Sequence, residues 1–173
     1  MDKRSRKLFR TVGALAAVTA ASFLATHHPR LTTVLREGAG ASQEQQAVVQ
    51  RAVDGDTVLL VGGRRVRYIG MDTPELHHPR KPVRAYAREA MEFNRRLVEG
   101  KQIRLEFDVD RRDKYNRLLA YVYLPDGTFV NAELVRQGYA QLLTIPPNVK
   151  YADLFLKCQK EAREAKRGLW GSR

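Results

Sequence analysis

The feature that most constrains the fold of this chain is a series of short apolar runs separated by tight-turn sequences. The runs Ala47–Val53, Thr57–Val61 and Arg65–Ile69 are separated by Asp54-Gly55-Asp56 and by Gly62-Gly63. Asp-Gly and Gly-Gly pairs favour the short turns that join antiparallel strands. The pattern therefore predicts a three-stranded meander.

The rest of the pattern predicts two more strands and about three helices. Apolar residues recur at helical spacing after the meander and again near the end of the chain. The predicted elements are a helix over 83–99, strands at Gln102–Phe107 and Leu118–Leu124, a short helix capped by Asn131 and ended by Gly138, and a last helix over 150–167. Five strands with interspersed helices predict an α+β fold built on a five-stranded OB-type β-barrel.

The N-terminal part of the chain has a different character. Five basic residues precede an uncharged, mainly apolar run from Thr11 to Thr26, which is typical of a signal peptide or an N-terminal membrane anchor. The run is shorter than the roughly 20 residues of a comfortable membrane span, so cleavage and retention both stay open. Because positive residues stay in the cytoplasm, the domain is expected outside it. We predict a signal peptide or anchor at 1–26, a linker at 27–46 and a folded domain at 47–173.

The charge balance indicates the kind of partner. Lys and Arg number 31 against 19 Asp and Glu, which gives a net charge of +12. Such a surface favours anionic partners such as nucleic acids or acidic membranes, although it does not define a reaction. Cys158 is the only cysteine, so an intrachain disulfide is excluded. Its apolar neighbours at helical spacing predict a buried structural thiol.

Four acidic residues lie where predicted strands end: Asp54, Asp56, Asp72 and Glu75. An isolated Asp-Gly pair is an ordinary turn sequence, but two acidic turns in a basic protein are less easily explained as turns alone. Hard cations such as calcium take oxygen ligands from carboxylates, backbone carbonyls and water. If the barrel brings the two turns together, they can supply a calcium site.

Two arginines accompany the acidic turns. Arg67 lies on the strand that leads to Asp72, and Arg117 follows the segment 113–116. Phosphodiester hydrolysis builds negative charge on phosphate oxygens, which a guanidinium meets with two hydrogen bonds. A metal and two arginines can therefore hold a reacting phosphate. Arg64, Arg65 and Arg111 are expected to be solvated surface residues.

Between about Val48 and Trp170 the chain resembles the staphylococcal nuclease (thermonuclease) family. The matching segments are Val53-Asp-Gly-Asp-Thr-Val58, Arg67, Asp72-Thr-Pro-Glu75, Asp113-Lys-Tyr115 with Arg117-Leu-Leu-Ala-Tyr121, and Leu134-Val-Arg-Gln-Gly138. The order and spacing of these segments through one domain carry the resemblance. It implies a calcium-dependent nuclease that hydrolyses single- and double-stranded DNA and RNA with little sequence specificity and leaves 3′-phosphorylated products.

The resemblance also implies a metal site. Asp56, Asp72 and the backbone carbonyl of Thr73 would bind calcium, and Asp54 would hold coordinated water. Glu75 would orient or deprotonate the attacking water.

The remaining implied roles concern the substrate. Arg67 and Arg117 would bind the phosphate and stabilise its transition state, while Lys114 and Tyr115 would contact a neighbouring phosphate or nucleotide. We expect a monomer that contacts the membrane only through residues 1–26, if these are retained.

One segment departs from the family pattern. Where the family's type member places two tyrosines against the nucleotide, this chain reads Leu143-Thr144-Ile145-Pro146-Pro147. Thr144 and Pro146 stand in place of these tyrosines, so the rings on which a base would stack are absent there. Tyr139, one helical turn earlier, is expected to belong to the core.

Two alternative functions compete with the nuclease. A catalytically silent OB-type nucleic-acid-binding module would account for the fold and the charge, but would not require the five residues Asp56, Arg67, Asp72, Glu75 and Arg117. A basic membrane-associated structural protein would account only for the N-terminus and would leave the acidic turns unexplained.

Overall fold

The first three strands form the predicted meander. A computed structural model describes residues 44–171, in which β1 is Glu44–Ala52, β2 is Thr57–Leu60 and β3 is Arg65–Tyr68. Adjacent strands pair antiparallel. Gly62 and Gly63 join β2 to β3 with φ angles of 93° and 82°, a conformation that strongly favours glycine.

The later elements follow the predicted order, and the helix and strand ends differ from prediction by at most three residues. They are β4 (Met71–Asp72), α1 (Lys81–Val98), β5 (Gln102–Glu106), β6 (Leu118–Tyr123), α2 (Val130–Arg136), β7 (Gln141–Leu142), α3 (Ala152–Glu164) and a 3-10 turn (Gly168–Trp170). The two-residue strands β4 and β7 pair with each other and were not predicted.

The barrel closes in the order β1-β2-β3-β6-β5, which confirms the predicted OB-type fold class. The first half of β1 pairs with β5 and the second half with β2, with a register shift between Val49 and Arg51. An irregularity of this kind bends a strand and allows one strand to serve two neighbours. β3 and β6 pair in parallel, with Arg67 beside Leu119.

Alternating residues of the strands fill the barrel, and the three helices cover its side. The fully buried strand residues include Val58, Leu60, Val66, Ile103, Leu105 and Val122. Cys158 is a buried free thiol, as predicted. Tyr139 packs against the core with its ring 4.5 Å from that of Phe93, which confirms its assignment to the core.

The predicted capping role of Asn131 is wrong. α2 begins at Val130 and its N-cap residue is Phe129, so Asn131 lies within the helix. The Asn131 side chain is fully buried, accepts a hydrogen bond from Val122 N at 2.9 Å and donates to Ile69 O at 2.9 Å. It therefore ties α2 to the barrel instead of capping its own helix. Gly138 does follow the end of α2 with a φ of 75°.

The predicted signal peptide or anchor at 1–26 lies outside the described residues, as does most of the linker at 27–46. Among residues 44–171 no helix combines the length and apolar character needed to cross a membrane.

Candidate active site

The acidic turn after β1 packs directly against the second acidic segment. A Cβ built on Gly55 would lie 2.7 Å from Thr73 Cγ2, closer than real Cβ contacts allow. Glycine is therefore required at this position, since any side chain would push the two segments apart. The sequence Asp54-Gly55-Asp56 thus serves close packing as well as chain reversal.

Asp56 is the buried centre of the site. Its Oδ2 accepts hydrogen bonds from Thr73 N and Thr73 Oγ1, both at 2.9 Å, and its Oδ1 accepts one from Thr57 Oγ1 at 3.1 Å. Arg67 Nη1 lies 3.0 Å from the same Oδ2. These contacts fix the orientation of the carboxylate, so its position is set before any ligand binds.

Asp72 lies beside Asp56 but is open to solvent. It ends β4 and is paired there with Gln141 of β7. Arg67 Nη2 donates to Asp72 Oδ1 over 2.7 Å, and the Asp72 side chain is 40% exposed against 8% for Asp56. The short β4–β7 pair therefore presents a half-exposed carboxylate next to a buried one.

Arg67 joins the two carboxylates from β3. Its Nη1 also donates to the carbonyls of Met71, at 3.0 Å, and Tyr68, at 3.2 Å. Its side chain is only 13% exposed. Because both ends of the guanidinium are held, Arg67 has a fixed geometry that a lysine could not reproduce.

The carboxylates carry an excess of negative charge. Burial and the charge of Asp56 raise the pKa of Asp54 to about 7. Burial also raises the pKa of Asp72; Arg67 opposes this shift, and the charges of Asp56 and Glu75 add to it. The acidic residues therefore lie close enough to repel one another.

Asp54 is held on its other side by α1. The fully buried Asn94 donates from Nδ2 to Asp54 O at 3.0 Å and accepts from Tyr68 Oη at 3.0 Å. Asp54 Oδ1 in turn accepts from Asp56 N at 3.0 Å. These contacts link the core of the barrel to the shape of the acidic turn.

Glu75 lies in the loop between β4 and α1 with its side chain exposed. Its carbonyl accepts a hydrogen bond from His78 N at 3.1 Å. Among the predicted acidic site residues it is the most exposed, while its charge is near enough to affect Asp72.

Arg117 is positioned by a compact loop before β6. Asp113 Oδ1 accepts from the backbone N of Tyr115 and of Arg117, at 2.9 and 3.0 Å, and Asp113 Oδ2 accepts from Arg117 Nε at 2.6 Å. Asn116 completes the turn with a φ of 63°, a conformation that asparagine tolerates. The loop leaves Lys114 and Tyr115 exposed, and Tyr115 is 68% exposed.

A cavity of about 600 Å³ lies between β3 and this loop. It brings together Arg67, Lys114, Tyr115 and Arg117 from the predicted site. The other predicted site residues do not line the cavity; these are Asp54, Asp56, Asp72, Thr73 and Glu75. Arg67 connects the cavity to the acidic residues, because it contacts the carboxylates of Asp56 and Asp72. The arrangement is an acidic cluster beside a basic cavity.

Part of the lining of this cavity comes from the segment that departs from the family pattern, and we call this part the aliphatic wall. Leu143, Ile145, Pro146 and Pro147 line the cavity, whereas Thr144 does not. Ile145 is 61% exposed. A nucleotide in the cavity would therefore meet the aliphatic wall as well as the ring of Tyr115.

The donor set fits a hard cation. Within residues 44–171 no three His, Cys, Asp or Glu side chains converge closely enough to hold a metal alone. A site at Asp56 and Asp72 would be completed by a backbone carbonyl such as that of Thr73 and by water, an oxygen set that calcium accepts. Burial and the charge of Asp56 both raise the pKa of Asp54, and a divalent cation at this position would favour the charged form of the carboxylate.

Some residues around the site were missed or given another role from the sequence. Arg64 and Arg65 are exposed, as expected, but both line a second cavity. Arg111 is half-buried over the Phe107 ring, 4.8 Å from its centroid, and is not a solvated residue. The sequence did contain a signal for Arg65. Because Arg65 and Arg67 alternate with Val66 along β3, both arginines lie on the same outer face of the strand.

Comparison with known proteins agrees with this architecture. Residues 65–172 match the family described as "Staphylococcal nuclease homologue". The chain is 40% identical over 126 residues to "Thermonuclease" of Staphylococcus intermedius; the aligned region covers 71% of this chain and 74% of the relative. It is 40% identical over 147 residues to "Endonuclease YncB" of Bacillus subtilis (strain 168), which covers 80% of this chain and 69% of that one. The chain belongs to the staphylococcal nuclease family.

Proposed function

We propose that the protein is a calcium-dependent nuclease that hydrolyses phosphodiester bonds of DNA and RNA with little sequence specificity. The observation that carries the proposal is the contact of Arg67 with both Asp56 and Asp72 at the edge of a basic cavity. The names of the relatives, thermonuclease and endonuclease, support the same class of reaction.

In this proposal Asp56, Asp72 and the Thr73 carbonyl would hold calcium, and Asp54 would bind coordinated water. The ion would supply charge neutralisation and polarise a phosphate oxygen. The fixed hydrogen bonds of Asp56 keep one ligand in place, and the half-exposed Asp72 leaves the position accessible.

Glu75 orients the attacking water and accepts its proton. The water oxygen forms a bond to phosphorus, and the bond from phosphorus to the 5′-oxygen breaks. The leaving 5′-oxygen takes a proton from solvent, so the products carry a 3′-phosphate and a 5′-hydroxyl. The exposed position of Glu75 beside Asp72 supports this role, because a general base needs access to water and to the reacting phosphate.

Arg67 and Arg117 bind the phosphate that reacts. Both guanidinium groups line the cavity, and each is held by a carboxylate partner at 2.6–2.7 Å. Charge that develops on the phosphate oxygens would thus be met by guanidinium groups whose positions these contacts already fix. Lys114 and Tyr115 contact the adjoining phosphate or nucleotide.

The proposed substrate contacts are to phosphate and to the apolar lining of the cavity. Neither kind of contact distinguishes one base from another. Low sequence specificity and action on both DNA and RNA follow from this. The N-terminal segment 1–26 would deliver the domain out of the cytoplasm, either as a cleaved signal or as an anchor, and the domain would act as a monomer.

The test uses the purified full chain with labelled single-stranded DNA and RNA, in calcium and in excess chelator. Cleavage in calcium alone, with 3′-phosphate ends, supports the proposal. Binding of both strands without cleavage in either condition would instead indicate a silent OB-type binding module.

A further inference from the structure

A second cavity lies beside the first, and its lining is rich in arginine. It measures about 460 Å³ and is lined by Gly63, Arg64, Arg65, Arg112, Tyr115, Asn116 and Arg117. The residues come from the β2–β3 turn, the start of β3 and the loop before β6. We call this group the arginine pocket.

The arginine pocket has a strong positive charge. Arg64, Arg65 and Arg112 carry three charges, and within residues 44–171 none of them forms an ion pair with a carboxylate. Arg117 is offset by Asp113. Arg112 Nη1 donates to Asn116 Oδ1 at 2.9 Å, a neutral partner that fixes the side chain but leaves its charge in place.

The arginine pocket is continuous with the cavity of the proposed active site. Arg112, Tyr115 and Arg117 line both cavities. Arg65 and Arg67 lie two residues apart on the same face of β3, a separation of about 6.6 Å at about 3.3 Å per residue. A step of this length is comparable with the distance between neighbouring phosphates of an extended strand. The unpaired charges of the arginine pocket therefore lie about one phosphate spacing along β3 from Arg67.

We propose that Arg64, Arg65 and Arg112 form a second phosphate subsite, which binds the backbone of a single-stranded DNA or RNA substrate beyond the scissile phosphate. The subsite accepts phosphate groups of a flexible strand, since it combines a positive groove with an exposed aromatic ring, that of Tyr115. This inference rests on the proposed function and deepens it, because it makes a strand of several nucleotides the preferred substrate over a dinucleotide.

The test measures binding in chelator, so that no strand is cleaved. The probes are a labelled ten-nucleotide thymidine strand, followed by fluorescence anisotropy, and a dinucleoside monophosphate that competes with it and carries a single phosphate. The full chain is compared with R64A/R65A, whose replaced side chains are exposed. The matched control is K157A/K160A, which removes the same charge from exposed positions of α3 that line neither cavity.

We expect R64A/R65A to weaken binding of the ten-nucleotide strand by at least about fivefold, and to lower the slope of log Kd against log salt by about 0.7 for each phosphate that the variant no longer binds. The competing dinucleotide should lose less than about twofold, because it does not reach the second subsite. K157A/K160A should change neither affinity appreciably.

Three results would overturn the subsite: unchanged affinity of the long strand, an equal loss for both ligands, or an equal loss in the lysine control. A separate cleavage assay of the wild-type chain in calcium tests the proposed function itself. Absence of cleavage together with length-dependent loss of binding in R64A/R65A would refute the nuclease and retain the subsite.

Discussion

Arg67 Nη2 lies 2.7 Å from Asp72 Oδ1, and this contact joins the phosphate-binding side of the site to its carboxylate side. A positive group between two proposed calcium ligands reduces their net negative charge. The same arginine is thus a competitor of the ion and, in the proposed reaction, a donor to the phosphate.

The first prediction follows from this double role. R67A should lower kcat by at least about 10²-fold, the scale of losing one transition-state donor, yet should leave the calcium Kd unchanged or tighter. R67K should lose nearly as much activity, because an ammonium cannot replace the planar fork. Steady-state kinetics and calorimetric calcium titration measure the two effects. R51A, at an exposed arginine of β1, is the control. A calcium Kd that rises strongly in R67A would show that Arg67 does not compete with calcium for the two carboxylates.

The second prediction concerns Glu75 and Arg117. E75Q and R117A should each lower kcat by at least about 10²-fold, with far smaller changes in substrate binding. E75Q keeps the shape of the side chain and removes only the proton acceptor. Wild-type activity in R117A would remove Arg117 from the site and make Arg112, which lines the same cavity, the next candidate.

The third prediction concerns the aliphatic wall. Since Ile145 lines the cavity and Thr144 does not, a tyrosine at position 145 should stack on a base and tighten single-strand binding, whereas T144Y should not. Stacking is worth about 1–3 kcal/mol per base, so the Kd for I145Y should fall by at least about fivefold. Anisotropy titrations measure the change. Tighter binding by T144Y alone would show that nucleotides follow a different path.

The barrel could be predicted from the sequence because each of its strands is bounded by turn residues. The strands β4 and β7 could not be predicted, because each has only two residues and shows no periodicity. They are strands only because they pair with each other. Asn131 was assigned to a cap because local sequence favours that role, whereas its buried contacts with Val122 and Ile69 depend on the tertiary fold.

The candidate site was predictable as a set of residues but not as a geometry. Asp56 and Thr73 lie 17 positions apart in the chain and meet only because Gly55 allows close packing. The contacts of Arg67 likewise require β3 to lie against the acidic turn and β4, and the arginine pocket forms where the β2–β3 turn meets the loop before β6. Contacts of this kind depend on the tertiary fold and cannot be recognised from the spacing of residues in the sequence.

The fourth prediction concerns location. The basic residues before the apolar run should stay in the cytoplasm and the domain should be exported. Fractionation of cells expressing the full chain, with protease added to intact spheroplasts, distinguishes the two forms. A soluble extracytoplasmic protein means cleavage near 20–25, and a membrane-bound, protease-sensitive one means an anchor. A soluble, protease-protected protein that retains Met1 would contradict both.

In the proposed function, Asp56 and Asp72 bind the calcium on which hydrolysis depends. The direct test is calcium titration of the wild-type chain, D56N and D72N, with heat of binding and rate of single-strand cleavage followed together; D153N, at an exposed acid of α3, is the control. We predict that wild type and D153N bind calcium and cleave in parallel, that magnesium substitutes poorly, and that D56N and D72N lose both properties. Undiminished cleavage in excess chelator, or calcium binding unaffected in both variants, would contradict the account.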